Sequence, residues 1–163
     1  MVPDPGDKRA AMPRNRIPDA DRLALAQGCL LGQVAGDALG TLVECKTKTS
    51  IRAKYRDGVR KLANGAPWRI LAGQPRDDSE MAMALARSLV RHRRCLAAEV
   101  KQSSLDWYES GPFDVGGTTE SALRGGPNMA SQANGSLMRI SPAGIFAAGA
   151  RNLLHGSPPK IAG

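Results

Sequence analysis

Apolar residues recur at helical spacing along most of the chain, and polar or turn-forming residues separate these stretches. Met81, Leu85 and Leu89 stand at positions i, i+4 and i+8, on one face of a helix that Asp77 or Asp78 begins. Pro142 suits the first turn of a last helix. The pattern predicts helices at about 21–39, from 77 or 78 onward, and at about 97–110, 118–124 and 143–154.

No stretch shows the alternation of apolar and polar residues that is typical of strands, so the pattern predicts an all-α fold. Residues 45–75 are irregular and basic, and we interpret them as a long surface loop with at most short helices. Residues 1–20, rich in Pro and in charges of both signs, are predicted to be a disordered leader. The helical domain is expected over 21–154, before a Pro-rich tail at 155–163.

Glycines recur every four residues in the first predicted helix, at Gly28, Gly32, Gly36 and Gly40. Each glycine costs a helix about 1 kcal/mol relative to alanine. A stripe of four therefore indicates that a partner backbone or a ligand approaches this face closely. The alternative is chance in a chain that contains 18 glycines.

Composition limits the size of the core and the cellular setting. Hydrophobic residues make up 42% of the chain but aromatic residues only 4%, so we expect modest stability. Cys29, Cys45 and Cys95 have no C-x-x-C spacing and accompany only two histidines, which predicts neither a zinc site nor a disulfide framework. The amino terminus lacks the apolar core of a signal peptide, and the most apolar later run contains Asp37 and is too short to cross a bilayer. We expect a cytoplasmic protein with no membrane partner.

The net charge of +8 is concentrated in two basic clusters, at 46–61 and 87–94. Such clusters attract phosphate, whether in a nucleotide or in nucleic acid, although a solvated basic face is the simpler interpretation. Tyr55 is the only aromatic residue interleaved in the first cluster, which argues against stacking on bases. Nucleic acid is therefore not the expected partner.

The adjacent carboxylates of Asp77 and Asp78 allow two interpretations. Asp77 and Glu80 have the spacing of a capping box in acid form, and carboxylates in a first turn suit the helix dipole. Two adjacent carboxylates also repel each other unless a cation compensates them, and Mg²⁺ and Mn²⁺ prefer oxygen ligands of this kind. The pair alone favours capping.

Three further motifs accompany this pair in a fixed order along the chain. They are "GQVAGDALGTLVE" before it, and "WYESGPFDVGGTT" and "NGSLMRISPAG" after it. Together with "DDSEMAMALARSL" this set resembles the ADP-ribosylglycohydrolase family, which includes the dinitrogenase reductase-activating glycohydrolases. The resemblance implies the N-terminal half of an all-α, orthogonal helical bundle. It also implies a pair of Mg²⁺ or Mn²⁺ ions, and hydrolysis of the glycosidic bond that links ADP-ribose to a protein side chain. An ADP-ribosylated protein or ADP-ribose itself is the implied partner.

The resemblance assigns roles to nine residues of this chain. Glu44 corresponds to the acidic residue near the metals and the scissile bond, and Asp77 and Asp78 to the last two residues of a Thr-Asp-Asp metal motif. The implied substrate-binding residues lie in two loops, at Gly116, Gly117, Ser131, Asn134, Gly135 and Ser136. Metals would orient ribose hydroxyls and a water, while a carboxylate manages protons around an oxocarbenium-like transition state. Asp37 and Asp114 are interpreted as structural.

Two departures from the family pattern bear on activity. Arg76 replaces the threonine of Thr-Asp-Asp, and its guanidinium repels a metal ion and is expected to pair with Asp77 or Asp78. The family also completes its metal site with a downstream Asp-x-Asp-Thr motif, whereas this chain has no Asp or Glu from 121 to 163. We therefore expect a chain truncated at its C-terminus that carries a damaged metal half-site.

Three functions remain open on the sequence. The chain is a glycohydrolase of reduced competence, a non-catalytic remnant that binds ADP-ribose, or a basic nucleic-acid-binding protein without a known module. A partial bundle is also expected to leave apolar helix faces uncovered, such as that of Met81, Leu85 and Leu89, and therefore to self-associate.

Overall fold

A computed structural model describes residues 20–65 and 69–151 of the chain, and residues 150 and 151 by their backbone only. The described part is helical, and its one β-bridge joins Gly65 and Ile70. The helices are α1 (Ala20–Gly40), α2 (Lys48–Lys54), α3 (Asp77–His92), α4 (Ala97–Glu109), α5 (Gly117–Leu123) and α6 (Ser141–Arg151). The predicted all-α fold is confirmed.

Helix boundaries follow the local signals closely. α3 begins at Asp77 and α6 has Pro142 in its first turn, as the sequence predicts. α2 is the short helix within the basic loop, and the Thr47 side chain caps it by accepting a hydrogen bond from the Ser50 amide at 3.2 Å. The expected leader, the end of the last helix and the tail fall at 1–19 and 152–163, outside the described residues.

The core is built around α3, which contacts α1, α4 and α6. Met81, Leu85 and Leu89 are 2%, 6% and 3% exposed, so the expectation that this face is partly uncovered is wrong. α4 and α6 cover the face, and Trp107 of α4 packs into the same core. A Met side chain suits such a core because its flexible thioether fills irregular gaps.

The uncovered apolar surface of the described residues lies mainly on other segments. On α1, Leu25 and Leu31 are 75% and 70% exposed, and the buried residues of this 21-residue helix are Asp37 and Ala38. Self-association stays a prediction, with α1 in place of α3 as the face that would drive it.

The glycine stripe of α1 is open. A Cβ added at Gly28, Gly32, Gly36 or Gly40 would meet nothing within 4 Å among the described residues. The expected close approach of a partner backbone is therefore absent from this part of the chain, and the stripe has no packing role there.

The basic cluster at 46–61 is mostly exposed, including Lys48, Arg52 and Lys54 of α2. Lys46 is an exception, since its ammonium donates to the Leu42 carbonyl at 2.7 Å and so tethers the cluster to the end of α1. The expectation that nucleic acid is not the partner stays a prediction. Within the described residues no helix is both long enough and apolar enough to cross a membrane.

Candidate active site

A buried carboxylate from α1 organises the start of α3. Asp37 Oδ2 accepts hydrogen bonds from the Arg76 amide at 3.0 Å, the Ser79 amide at 3.2 Å and the Ser79 hydroxyl at 2.5 Å. The first amides of a helix have no partner within the helix, so an acceptor must come from elsewhere. Asp37 supplies it from 39 residues upstream of Arg76. The structural role predicted for Asp37 thus takes the form of a long-range cap.

The capping box predicted for Asp77 and Glu80 is wrong. The N-cap residue of α3 is Arg76, whose side chain makes no capping hydrogen bond, and Asp77 is the first helical residue. Glu80 instead accepts a hydrogen bond from the Trp107 indole at 2.9 Å and joins α3 to α4. Asp77 is therefore available to the site.

A glutamine in the middle of α1 ties three helices together beside these carboxylates. The Gln33 amide nitrogen donates to the Asp78 carbonyl at 3.0 Å and to the Met138 carbonyl at 2.9 Å. The Ser141 hydroxyl, at the start of α6, hydrogen-bonds to the Gln33 side-chain oxygen. Through the hydrogen bond to the Asp78 carbonyl, Gln33 holds the backbone of the first turn of α3 in place.

The two aspartates of the expected metal motif lie together at the first turn of α3. Asp77 is 9% exposed, and its carboxylate accepts from the amides of Asp78 at 3.0 Å and Gly116 at 3.3 Å. Asp78 is half-buried. The contact with Gly116 brings the loop before α5 onto the site.

Arg76 lies between two further carboxylates. Its guanidinium forms ion pairs with Glu44, just after the end of α1, and with Asp114, in the loop before α5. The hydrogen bond from Arg76 Nε to Asp114 Oδ2 is 2.7 Å long. The sequence predicts that Arg76 forms an ion pair with Asp77 or Asp78, whereas the ion pairs in the structure are with Glu44 and Asp114.

The two substrate loops of the resemblance meet beside Asp77. Ser131 lies 3.3 Å from Thr118, hydroxyl to hydroxyl. A Cβ added at Gly135 would lie 2.9 Å from Thr119 Oγ1, which is closer than side chains tolerate, and one at Gly116 would lie 3.5 Å from Asp77 Oδ2. Glycine is therefore required at position 135 by a close approach of loop to helix.

The other three predicted loop residues lie in the same two segments without a direct contact to Asp77. Gly117 is the first residue of α5. The Asn134 carbonyl accepts from the amides of Leu137 and Met138 at 2.8 and 3.0 Å, which forms the turn into the last loop. Ser136 is exposed in that turn. Their roles as substrate ligands stay predictions.

The gathered carboxylates shift one another's protonation. Burial, followed by the neighbouring charges of Asp77 and Asp37, raises the pKa of Asp78 from 3.8 to about 6. Burial, followed by the charge of Asp114, also raises the pKa of Asp77. The positive charge of Arg76 opposes both shifts. Desolvation is thus the main cause of both shifts, and the charges of the neighbouring carboxylates add to it.

The residues present do not fit a pair of divalent ions. Among the described residues no group of three or more His, Cys, Asp or Glu side chains is arranged to hold a metal ion. The Arg76 guanidinium occupies carboxylate oxygens of Glu44 and Asp114, and backbone amides occupy those of Asp77. Mg²⁺ exchanges its water shell only for several well-placed oxygens, and at Glu44, Asp114 and Asp77 it would compete with donors of the chain itself.

Sequence reasoning missed two residues as parts of the site. Asp114 is interpreted from the sequence as structural in its loop, yet its ion pair with Arg76 makes it part of the site. Gln33 received no role, although it holds the Asp78 backbone. Asp114 stands two residues before Gly116 in a quoted motif, which is the one signal that could have found it.

Known proteins resemble this chain over most of its length. The sequence model described as ADP-ribosylglycohydrolase matches residues 18–158. The ADP-ribosyl-[dinitrogen reductase] glycohydrolase of Rhodospirillum rubrum is 36% identical over 134 residues, which are 76% of this chain and 45% of that protein. The ADP-ribosylarginine hydrolase Tri1 of Pseudomonas putida (strain GB-1) is 31% identical over 138 residues, 74% of this chain and 36% of that protein.

A solved structure agrees with these sequences. A chain described as an ADP-ribosylglycohydrolase-related protein complex matches with a TM-score of 0.62 and 30% identity, over 76% of this chain and 43% of that one. The helical fold thus falls in the class of all-α folds found in ADP-ribosylglycohydrolase-related proteins. The chain belongs to the ADP-ribosylglycohydrolase family, as its motifs predict. It spans less than half the length of these relatives.

The raised pKa of Asp78 predicts a pH-dependent effect of Asp78→Asn on stability. Because the folded-state pKa of about 6 exceeds the ordinary 3.8, the ionised carboxylate destabilises the fold, and its neutral form does not. Asp78→Asn should therefore raise the melting temperature at about pH 7, and the gain should shrink through the window from 6 to 3.8 and vanish below it. Thermal unfolding followed by circular dichroism measures this, with Asp57→Asn on the exposed surface as control. A gain that is the same at every pH would contradict the shift.

Proposed function

We propose that this chain binds ADP-ribosyl groups at the carboxylate site around the start of α3. In this family, that site would receive the bond between ADP-ribose and a protein side chain. The carrying observation is that carboxylates from α1, α3 and the loop before α5 meet two glycine-containing loops at one place. The relatives named above act on ADP-ribosylated dinitrogen reductase and on ADP-ribosylarginine, by their names. These names support the ADP-ribosyl group as the ligand and an ADP-ribosylated protein as the partner.

The chemistry of the site suits a ribose. Carboxylates such as those of Asp77 and Asp78 accept hydrogen bonds from ribose hydroxyls. The hydroxyls of Thr118 and Ser131 can donate to or accept from the same sugar. Gly116 and Gly135 let the two loops approach Asp77 and Thr119 closely, which brings the backbone of both loops beside these carboxylates.

A cation at the end of the second loop suits the diphosphate. Arg139 contacts Met81 Sδ through Nη1 at 3.3 Å, and it forms no ion pair with the residues that the structure describes. Burial lowers the pKa of this guanidinium. A half-buried cation without a carboxylate partner favours an anionic ligand, such as a phosphate group.

Hydrolysis by this chain is proposed to be absent. The family's reaction uses Mg²⁺ or Mn²⁺, and the donor set here does not fit these ions. Glu44, the expected catalytic carboxylate, is paired through Oε2 with the Arg76 guanidinium, which takes up an oxygen that would otherwise face a water. The chain then retains the binding half of the family's function.

The proposal predicts that Gly135→Ala weakens ADP-ribose binding at least about tenfold, a loss of about 1.4 kcal/mol. The added methyl group would push the second loop away from Thr119, since the two atoms would lie 2.9 Å apart. Isothermal titration calorimetry with ADP-ribose in EDTA measures the effect, and circular dichroism verifies the fold. Gly28→Ala is the matched control, because its methyl group meets nothing within 4 Å. Absence of binding by the unaltered folded chain, or equal affinity of both variants, would refute the proposal.

A further inference from the structure

We propose that the Arg76 guanidinium is a tethered cation that serves as the counter-ion of the carboxylate cluster, so that the site holds together without a divalent metal. This inference does not depend on ADP-ribose binding. It assigns a positioning role to a residue that replaces the threonine of the family's motif.

The Arg76 guanidinium lies among the carboxylates and not in solvent. Arg76 is 8% exposed, and its side chain is enclosed between Glu44 and Asp114. Its backbone amide donates to a third carboxylate, that of Asp37, at 3.0 Å. One residue thereby links the last turn of α1, the segment after α1 and the loop before α5 to the start of α3.

Negative charge is concentrated around Arg76. Asp37, Glu44, Asp77, Asp78 and Asp114 bring five carboxylates to the start of α3. Desolvated carboxylates repel one another unless a cation or donors compensate them. Arg76 acts in this direction, since its guanidinium pairs with Glu44 and Asp114 and its amide donates to Asp37.

The Arg76 guanidinium is a permanent cation with two carboxylate partners. An arginine is not deprotonated in proteins, and the Arg76 guanidinium donates hydrogen bonds to both Glu44 and Asp114. Arg76 therefore stays charged, and its planar fork suits two carboxylates at once. An arginine that was merely tolerated at this position would turn toward solvent, where its desolvation cost disappears.

The experiment compares thermal unfolding in EDTA and in millimolar Mn²⁺ without ADP-ribose. The unaltered chain should melt at the same temperature in both. Arg76→Met should melt about 5–10 °C lower in EDTA, because it leaves Glu44 and Asp114 without their cation, and Mn²⁺ should restore part of the loss. Arg91→Met, at an exposed arginine of the same helix, is the control and should shift the melting temperature little in either buffer.

Two further variants separate charge from packing. Arg76→Lys keeps the charge and loses the fork, so its melting temperature should lie between those of the unaltered chain and Arg76→Met. The triple variant Arg76→Met, Glu44→Gln, Asp114→Asn removes the cation together with its partners. It should be more stable than Arg76→Met, because neither Glu44 nor Asp114 is then left charged without its cation.

The outcomes decide the proposal in each case. If Arg76→Met does not fold while the triple variant does, the counter-ion role is supported. The proposal is overturned if the triple variant is as unstable as Arg76→Met. It is also overturned if Mn²⁺ raises the melting temperature of the unaltered chain by as much as it raises that of Arg76→Met.

Discussion

Replacing Asp37 with alanine should lower the free energy of unfolding by about 3 kcal/mol. The carboxylate accepts three hydrogen bonds at the buried start of α3, from the Arg76 amide and from the amide and hydroxyl of Ser79. Alanine would remove the acceptor of the Arg76 amide and of the Ser79 hydroxyl, whereas the Ser79 amide keeps its hydrogen bond to the Arg76 carbonyl at 3.1 Å. A buried donor that loses its acceptor costs about 1–3 kcal/mol of desolvation when solvent cannot replace the partner. The loss should fray the first turn of α3 and displace the aspartates that it carries.

Urea unfolding followed by circular dichroism measures this effect. Asp37→Asn keeps the shape and one acceptor oxygen, so it should lose less than Asp37→Ala. Asp57→Ala on the exposed surface should change stability by under about 0.5 kcal/mol. An Asp37→Ala variant as stable as the surface control would show that the α3 start does not depend on this long-range cap.

The unaltered chain should show no tight binding of Mg²⁺ or Mn²⁺ and no measurable release of ADP-ribose from modified arginine. The Arg76 fork engages oxygens of Glu44 and Asp114 and adds a fixed positive charge at the site. Mg²⁺ requires several well-placed oxygens, and residues 121–163 supply no carboxylate to complete them. Arg76→Thr removes the cation but restores only part of a ligand shell, so it should improve metal affinity weakly.

Calorimetric titration of both proteins with Mn²⁺, alongside an assay of ADP-ribose release, decides this prediction. Stoichiometric micromolar binding by the unaltered chain, together with turnover that Asp77→Ala abolishes, would show that the donor set does accept metal. Binding by Arg76→Thr as tight as in a complete site would show instead that the threonine position alone limits affinity.

Much of the fold could be predicted because its signals are local. The start of α3 at Asp77 and the position of Pro142 in α6 follow from residues that are neighbours in sequence. The all-α class follows from apolar spacing, which reflects the 3.6-residue turn of a helix. The family, in turn, follows from the order of four motifs, and its implied site residues Asp77, Gly116 and Gly135 do lie close together.

The partners of the charged residues could not be predicted in the same way. The sequence predicts an ion pair of Arg76 with its neighbour Asp77 or Asp78. In the structure, the ion pairs of Arg76 join it to Glu44 and Asp114. A guanidinium on a flexible stem reaches acceptors that the fold brings near, and sequence distance does not restrict it. The same holds for Asp37, whose acceptor oxygen lies 39 residues from the amide that it caps.

By itself, the sequence determined the all-α class, most of the helices and the family. Only the tertiary structure decided that Met81, Leu85 and Leu89 are covered while Leu25 of α1 is exposed, because helix packing is a property of all the contacting faces together. It also decided that the cation of the site is the chain's own Arg76, since electrostatic partners are chosen by distance and desolvation in the folded chain.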